Sequence, residues 1–379
     1  MGSKTFVAGA TCLIAVIGMV GSAGAQGVRL GGSITQTFDI TDNNNLSGGG
    51  VDIGSTTAFG LTLSSTTPNS RIAASTGAAL SFGTNNSLAI SQPRLNLDFA
   101  TNTRDLSVTG ALSFVQRPAA VDITQPDLSI LRYTGDETRI SGSLGLSHQV
   151  NARSSLSLGL GADIVTYDPA SAGLFDNNTF RITGDFQQTV SPQTSYGVTL
   201  GLGLFEADNA SDTTSVSADL TGTLTHQLDQ LTSVNGSLGL SYVETTDTVL
   251  GVESLTTALS ALYSVGVSRQ LPDGSMGLSL NQSVVPSASG SLVIDTTLTG
   301  DLNRTVNNNV GYGISATLGR QERIGGGTST SYVNIAPSYS RQLTRDVSAN
   351  ASYVFQRDNT GAVSQSVVVS FSRNFDFPL

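Results

Sequence analysis

Apolar and polar residues alternate with a period of two along most of the chain. One stretch reads VSADLTGTL from Val216, and another begins at Tyr196. A third stretch has its apolar positions at Leu292, Ile294, Leu298 and Leu302. Successive side chains of a β-strand point to opposite faces, so this period predicts strands with one apolar and one polar face. The chain is therefore predicted to be all-β.

The polar faces of these strands consist mainly of Ser, Thr, Gly, Asn and Asp. A water-soluble sandwich would bury its apolar faces against each other and present charged side chains to solvent. A β-solenoid would repeat with the length of one coil. In an outer-membrane barrel the apolar face meets lipid and the polar face encloses water, in alternating segments of ~10 residues. The small uncharged polar residues favour the barrel.

The alternating segments predict about eighteen strands, with sixteen as the lower alternative, because single-chain bacterial barrels have an even number. The predicted strands begin near Val28, Ser55, Arg71, Gln92, Asp105, Thr138, Ser154, Asn178, Ser195, Thr214, Thr232, Leu255, Gly274, Ser291, Asn309, Ser331, Asp346 and Val363. Short links such as TPNS and LTRD alternate with links that tend to be longer. Short periplasmic turns and longer extracellular loops are typical of a single antiparallel up-and-down transmembrane barrel.

A short phrase recurs at the predicted periplasmic turns, once per hairpin. It reads SHQVNARS from Ser147, THQLDQLT from Thr225 and SRQLTRDV from Ser340. The second residue of the phrase lies on the apolar, outward face, one step before the turn. Such a residue is predicted to reach lipid head groups with its polar end. The predicted lipid-interface rim is His148, Gln188, His226, Arg269, Arg304, Arg341 and Arg373.

An eighteen-stranded barrel is too wide for side chains to fill, which predicts an aqueous channel or a plugged lumen. The register predicts that the pore lining includes Arg94, Asp98, Asp163, Arg181, Asp185, Asp219, Asp295 and Asp301. Acidic groups in a pore favour cations, although the same residues also fit an ordinary solvated wall. The long link from Arg117 to Glu137 would narrow the pore, cap its mouth or contact a neighbouring molecule. Its constriction candidates are Asp122, Asp127 and Arg132.

The first 25 residues differ from the rest of the chain. Lys4 precedes an apolar run from Phe6 to Val20, and Ala23-Gly24-Ala25 supplies small residues before Gln26. This order is typical of a secretory signal peptide. We therefore expect residues 1–25 to be removed and residues 26–379 to form the barrel.

Composition excludes several other functions. The only cysteine and the only lysine lie within the predicted signal peptide, so the mature chain has 17 Arg against 28 acidic residues, a net charge of −11. Such a chain has no basic surface for nucleic acid. It has no cysteine for a disulfide or thiolate site, and we expect neither a metal nor a cofactor. The two histidines are predicted to lie far apart on the rim and no catalytic motif occurs, so we expect no enzyme.

Two features point to a known group of proteins. The turn phrase SRQLTRDVSANASY and the opening strand ITQTFDITDNN resemble those of Gram-negative outer-membrane β-barrels described as porin-like. Some members of that group are encoded with exopolysaccharide synthesis and sorting systems. The final strand carries Phe371, Phe375 and Phe377 at alternate positions, which resembles the signal that the outer-membrane assembly machinery reads.

These observations predict a channel in the outer membrane of a Gram-negative bacterium. The channel would pass small hydrophilic solutes, or export a secreted polysaccharide, through a polar lumen. The alternative is a structural or surface-interaction barrel with an occluded lumen whose extracellular loops bind a partner. Outer-membrane lipids and the assembly machinery are the expected partners, and association into a homo-oligomer is left open.

Overall fold

The structure is a computed structural model of the full chain. It describes residues 27–42, 51–83, 86–118, 136–168, 174–209, 211–249, 251–287, 289–307, 309–324, 329–359, 361 and 363–378. The predicted signal peptide and the constriction candidates Asp122, Asp127 and Arg132 lie outside these residues.

Eighteen β-strands make up the described part of the chain. They are β1 (Val28–Asp42), β2 (Asp52–Thr66), β3 (Ser70–Gly83), β4 (Asn86–Asn102), β5 (Leu106–Pro118), β6 (Asp136–Asn151), β7 (Ser154–Asp168), β8 (Asn177–Ser191), β9 (Thr194–Ala207), β10 (Thr213–Gln227), β11 (Thr232–Val249), β12 (Val252–Leu271), β13 (Gly274–Ser287), β14 (Ser291–Asn307), β15 (Val310–Arg323), β16 (Ser329–Gln342), β17 (Val347–Asp358) and β18 (Val363–Pro378). Within the described ranges, no helix has the length and apolar character needed to cross a membrane.

Each strand pairs antiparallel with the next, and β1 pairs with β18 from Arg29–Pro378 to Asp42–Gln365. The sheet is thus a closed up-and-down barrel, and the predicted fold and strand number are confirmed. Predicted and observed strand starts differ most at β4, which begins at Asn86 rather than near Gln92. Gln92 has a φ of 55° and the β3–β4 register shifts there, so a bulge carries the strand past Pro93.

The turns on the side of the chain termini are short, as in the periplasmic turns of other barrels. The links on the opposite side vary more. Residues 43–51, 119–135 and 169–176 form the longer links, as predicted, but the links at 84–85 and 250–251 have only two residues. We call the terminus side the periplasmic end and the opposite side the outer end.

Large apolar side chains cover the outer surface of the barrel. Leu238 is 72% exposed and Leu259 is 68% exposed, and Leu220 and Leu200 also point outward. On β12 the apolar band runs from Leu259 to the rim residue Arg269, ten residues later. At about 3.3 Å per residue and a tilt of about 40°, this distance corresponds to about 25 Å of height. That height matches the lipid-facing band of an outer-membrane barrel, and the chain is therefore an outer-membrane β-barrel.

Candidate functional site

The inner face of the barrel holds the predicted pore-lining residues. The residues next to them in sequence point outward. Leu220, which follows Asp219, is exposed on the outer face, and so are Phe180 and Ile182 on either side of Arg181. The eight side chains that the structure places on the inner face are Arg94, Asp98, Asp163, Arg181, Asp185, Asp219, Asp295 and Asp301.

Arg181 and Asp219 form an ion pair that crosses an intervening strand. Arg181 on β8 donates to the Asp219 carboxylate on β10, and the Arg181 Nη2–Asp219 Oδ2 distance is 2.6 Å. Gly201 of β9 lies between them, and a Cβ there would be 3.1 Å from Arg181 Nη2. The Ser241 hydroxyl on β11 donates to the other Asp219 oxygen over 2.6 Å. A glycine in β9 therefore leaves room for one carboxylate to link three strands.

Two further ion pairs continue this arrangement toward β5. Arg139 donates from Nε to Asp163 Oδ1 over 2.9 Å and also contacts Oδ2, while the Ser141 hydroxyl donates to Oδ1 over 2.7 Å. Arg117 pairs with the buried Glu137 at 3.1 Å. We call these three pairs the charged ribbon: Arg117–Glu137, Arg139–Asp163 and Arg181–Asp219.

Arg117 and Arg139 also lie on the inner face, although they were not among the predicted pore-lining residues. The alternation contains the information for Arg139, because its neighbour Ile140 is apolar and points outward. Arg117 lies at the start of the long link, where no following strand residue defines the face. Arg139 changes the electrostatic prediction, since its partner Asp163 is paired with a cation rather than contributing an uncompensated negative charge to the pore. Asp185 accepts a 2.6 Å hydrogen bond from the neutral Thr199 hydroxyl.

Exposure along the inner face falls from the periplasmic end toward the outer end. On β10, Thr223, Thr225 and Gln227 are exposed, whereas Thr213 and Ser215 are buried. The same gradient occurs on β14, where Asp301, Asn303 and Thr305 are exposed but Asp295 is buried. The lumen is therefore open to solvent near the periplasm and narrows in its outer half.

Part of the wall itself fills the outer half of the lumen. Leu292 on β14 and Val284 on β13 belong to the outward-facing positions of their strands, yet they pack against Phe205 and Val243. Phe205 and Val243 are inner-face residues of β9 and β11, and both are buried. We call the described residues 284–287 and 289–292 the inner tip.

The position of the inner tip differs from the sequence prediction, which placed Leu292 against lipid. A hydrogen bond from Asn209 Nδ2 to the Gly290 carbonyl oxygen, 2.7 Å long, joins the inner tip to the β9–β10 link. The inner tip lies inside the barrel because its apolar side chains bury surface against the inner wall of β9–β11.

The recurring phrase forms a continuous rim at the periplasmic end. Each of its seven polar residues lies opposite the first residue of a neighbouring strand, as His148 does with Leu106 and Arg373 with Val347. In each case the next residue donates its backbone N–H to the carbonyl just before that neighbouring strand, over 2.6 to 3.0 Å. The seven donors are Gln149, Thr189, Gln227, Gln270, Thr305, Gln342 and Asn374. The phrase therefore has a structural role, since it ties each turn to the preceding one.

Several rim side chains also have protein partners. His226 Nδ1 is 2.9 Å from the Thr194 hydroxyl, and His148 Nδ1 is 3.1 Å from a backbone carbonyl. Arg304 forms an ion pair with Asp273 in the neighbouring turn. All seven predicted rim residues occupy outward positions at this end: His148, Gln188, His226, Arg269, Arg304, Arg341 and Arg373. Contact with lipid head groups stays a prediction.

The turn between β10 and β11 contains an aspartate with a perturbed pKa. The Leu231 backbone N–H donates to Asp229 Oδ1 over 2.7 Å, and this bond lowers the pKa of the Asp229 carboxyl. The Thr232 N–H donates to the same oxygen over 2.8 Å. Both bonds favour the ionised form.

Acidification should weaken this turn. A carboxyl whose pKa is lowered by folding stabilises the native state above its unfolded pKa, about 3.9, and loses this contribution as the pH falls through the lowered native value. Below pH 4, we expect the wild type to lose more unfolding free energy than Asp229→Asn does. The Asn side chain accepts the same hydrogen bonds but does not titrate. Urea unfolding in liposomes at two pH values measures it. A difference that is independent of pH would contradict the expectation.

Among the described residues, no group of three or more His, Cys, Asp or Glu side chains is arranged to hold a metal ion. His148 and His226 are separated by the three strands β7, β8 and β9.

Solved structures with the same fold were found, although no family model and no curated protein matches the sequence. Pseudomonas aeruginosa OpdL has a TM-score of 0.53 at 10% identity, with 93% of this chain and 99% of that chain covered. Acinetobacter baumannii OccAB2 has a TM-score of 0.52 at 10% identity, covering 93% and 98%. Pseudomonas aeruginosa OprD has a TM-score of 0.50 at 12% identity, covering 94% and 98%.

These neighbours are Gram-negative outer-membrane porins with eighteen-stranded barrels. This chain shares the closed eighteen-stranded antiparallel barrel fold of these structures. At sequence identities near a tenth, the likeness shows a shared fold and does not indicate a substrate. These three structures do not show a relationship to the exopolysaccharide-associated group.

Proposed function

We propose that the protein is an outer-membrane channel for small hydrophilic solutes. The observation that carries the proposal is the polar inner face, which contains the charged ribbon and opens to solvent in the periplasmic half. Polar side chains and paired charges replace part of the hydration of a passing solute. The arginine partners of Asp163 and Asp219 make the wall nearly neutral over β5–β10, which suits uncharged solutes as well as ions.

The narrow outer half of the lumen supports a second candidate. The inner-face residues Ser215, Val243 and Ser241 are fully buried there, as expected of a barrel whose lumen is occluded and whose outer links bind a partner. Planar-bilayer recording of the refolded protein separates the two functions. Unitary conductance steps support the channel. A barrel that inserts without conducting, and still fails to conduct after removal of the inner tip, contradicts it.

Ion selectivity tests whether the charged ribbon lies along the conduction path. Arg181→Gln should raise the cation-to-anion permeability ratio, because the Asp219 carboxylate then lacks its cation, and Asp219→Asn should lower the ratio. A unit charge about 10 Å from an ion in water shifts the energy of a cation and of an anion by roughly 0.4 kcal/mol in opposite senses, so the ratio should change by up to about fourfold in each variant. Reversal potentials in a salt gradient measure the ratio.

The control for selectivity removes the same charge from the outer surface. Arg341→Gln lies on the rim and should leave the reversal potential unchanged. The double variant Arg181→Gln/Asp219→Asn should return close to the wild-type ratio. If both single variants keep the wild-type ratio, the charged ribbon is not on the path of the ions.

Export of a polysaccharide is a finer proposal that rests on the resemblance of the turn phrase and opening strand. A polymer chain would need a wider outer half, so this function requires displacement of the inner tip. Recognition by the assembly machinery is likewise a proposal. Its support is the final strand, where Phe375 stacks on Phe377 with a centroid distance of 6.5 Å and Arg373 lies 5.0 Å from the Phe375 ring.

A further inference from the structure

The wall of the barrel is not hydrogen-bonded over its full height between β12 and β13. The β12–β13 ladder runs from Leu271–Gly274 to Tyr263–Gln282 and has nine pairs. The β11–β12 ladder has eighteen pairs and continues to Val249–Val252. Residues 252–262 of β12 therefore have β11 on one side and no ladder partner among the described strands on the other.

Side-chain hydrogen bonds stabilise the point at which the β12–β13 ladder ends. Gln282 Nε2 donates to the Ala261 carbonyl oxygen over 2.8 Å, directly beyond the last ladder pair. The Thr296 hydroxyl of β14 donates to Gln282 Oε1 over 2.9 Å and holds the amide in place. Pro286 lies farther along β13 and has no N–H to offer a neighbouring strand, which is typical of an edge. The separation of the two strands is thus a defined feature of the fold.

The separated part of β12 begins within the height of the hydrocarbon, at residues 259–262, and continues beyond its outer boundary. Leu259 and Leu255 on its outer face are 68% and 63% exposed, and Leu259 pairs with Tyr242, an aromatic residue of the outer boundary. From Leu262 to Leu259, where the apolar band of β12 begins, four residues of about 3.3 Å each leave roughly 13 Å of strand edge within the band. Backbone groups at this depth must be satisfied by protein or by water in a cavity.

The inner tip covers this edge from inside the barrel. Leu292 and Val284 pack on the cluster that contains Phe205 and Val243, and β13 does not extend its ladder with β12 here. Side-chain packing therefore closes this part of the wall in place of backbone hydrogen bonds. A cavity of about 210 Å³ remains between the inner tip and the inner face of β12, lined by Thr256, Leu292 and Ile324 among others. Closure by packing alone is easier to reverse than closure by a ladder.

We propose that the β12–β13 seam is a lateral opening that admits an acyl chain from the outer half of the bilayer into the barrel when the inner tip moves. The ligand class is an amphiphile whose apolar chain passes between Leu259 and Val284 while its polar head reaches Thr256 and Ser260 on the inner face. The inference goes beyond solute passage and rests only on the barrel spanning the membrane.

Quenching of a single tryptophan by brominated lipid tests this opening, because the chain contains no Trp. Thr256→Trp places the reporter on the inner face beside the seam. Thr183→Trp is the matched inner-face control on β8, and Leu259→Trp reports full lipid contact. In bilayers of phosphatidylcholine brominated on its acyl chains, we expect Thr256→Trp to be quenched several-fold more than Thr183→Trp. Ser254→Trp is the second reporter on the same face if Thr256→Trp does not fold.

A disulfide tests the role of the inner tip. Val243→Cys/Leu292→Cys joins two residues of the packed cluster, and oxidation should reduce the quenching at Thr256→Trp to the Thr183→Trp level, with recovery on reduction. Ser264→Cys/Asn281→Cys, across a paired part of the seam, is the control and should change nothing. Equal quenching at Thr256→Trp and Thr183→Trp overturns the lateral opening, and quenching insensitive to the first disulfide overturns the inner tip as its closure. The measurement needs no conducting lumen, so it fails independently of the proposed channel.

Discussion

Removal of the inner tip is expected to raise the single-channel conductance by about twofold or more, since the outer half of the lumen is the narrow part of the pore. The variant replaces residues 284–294, which are the inner tip and the next two residues of β14, with Asn-Gly. Ser283 and Asp295 already face each other in the β13–β14 ladder, so they would flank a two-residue turn of the type that Asn-Gly favours. The deletion keeps Gln282 and its bond to β12. Planar-bilayer recording in symmetric salt measures the change.

The matched control shortens the neighbouring hairpin in the same manner. Replacing residues 248–253 with Asn-Gly leaves Asp247 and Ser254 as the flanking pair, and this hairpin does not contribute Leu292 or Val284 to the lumen. Its conductance should equal that of the wild type. If both deletions change the conductance alike, the narrow point lies elsewhere, and the link at 119–135 becomes the next element to test.

The alternation of the sequence was sufficient for most of the fold. A period of two fixes the face of each side chain, and the breaks in the period place strand starts such as Ser154, Gly274 and Val363 at the observed residues. The same period assigned the eight pore-lining candidates to the inner face of their strands, and their role in lining an open pore stays a prediction. Arg139 could have been found in the same way, because it precedes the outward Ile140.

The inner tip could not be predicted by this reasoning. Alternation states which residues share a face, but it does not state whether that face meets lipid or another part of the same protein. Leu292 and Leu298 have the same phase, yet the first is buried against Val243 and the second faces outward. The decisive contacts join residues about 50 to 90 positions apart, and local pattern carries no information on such contacts. Pro286 was the single local indication of an edge.

At the rim, the recurring phrase was visible in the sequence, but its role in bonding neighbouring turns to each other was not predicted. The recurrence of a polar residue before each turn predicted a lipid-facing position. The structure adds that the following residue bonds to the neighbouring turn in every repeat, as Gln227 does with the carbonyl of Gln193. The repeat therefore fixes the hydrogen-bond register between neighbouring hairpins, in addition to placing a polar residue at the membrane surface. A barrel closes only when the registers of all its hairpins are consistent.

An arginine at Leu220 is expected to destabilise the barrel by about 2–4 kcal/mol, whereas an arginine at the adjacent Thr221 should cost little. Leu220 is 56% exposed on the outer face, near the middle of the apolar band on β10, and the substitution places a charge in hydrocarbon. Thr221 points into the lumen, where the same charge meets water. Urea unfolding of the two variants in liposomes, followed by the mobility difference between folded and unfolded barrels, measures the costs.

This pair tests the division on which the channel depends, because the two positions differ by one residue and share strand, height and introduced side chain. A free-energy loss at Leu220→Arg close to that at Thr221→Arg would mean that the outer face does not meet lipid, and the membrane-spanning barrel would be wrong. A larger loss at Thr221→Arg would place the polar face in a packed interior. The expected order follows from the solvation of one charge, since hydrocarbon offers it no hydrogen-bond partner and the lumen offers water.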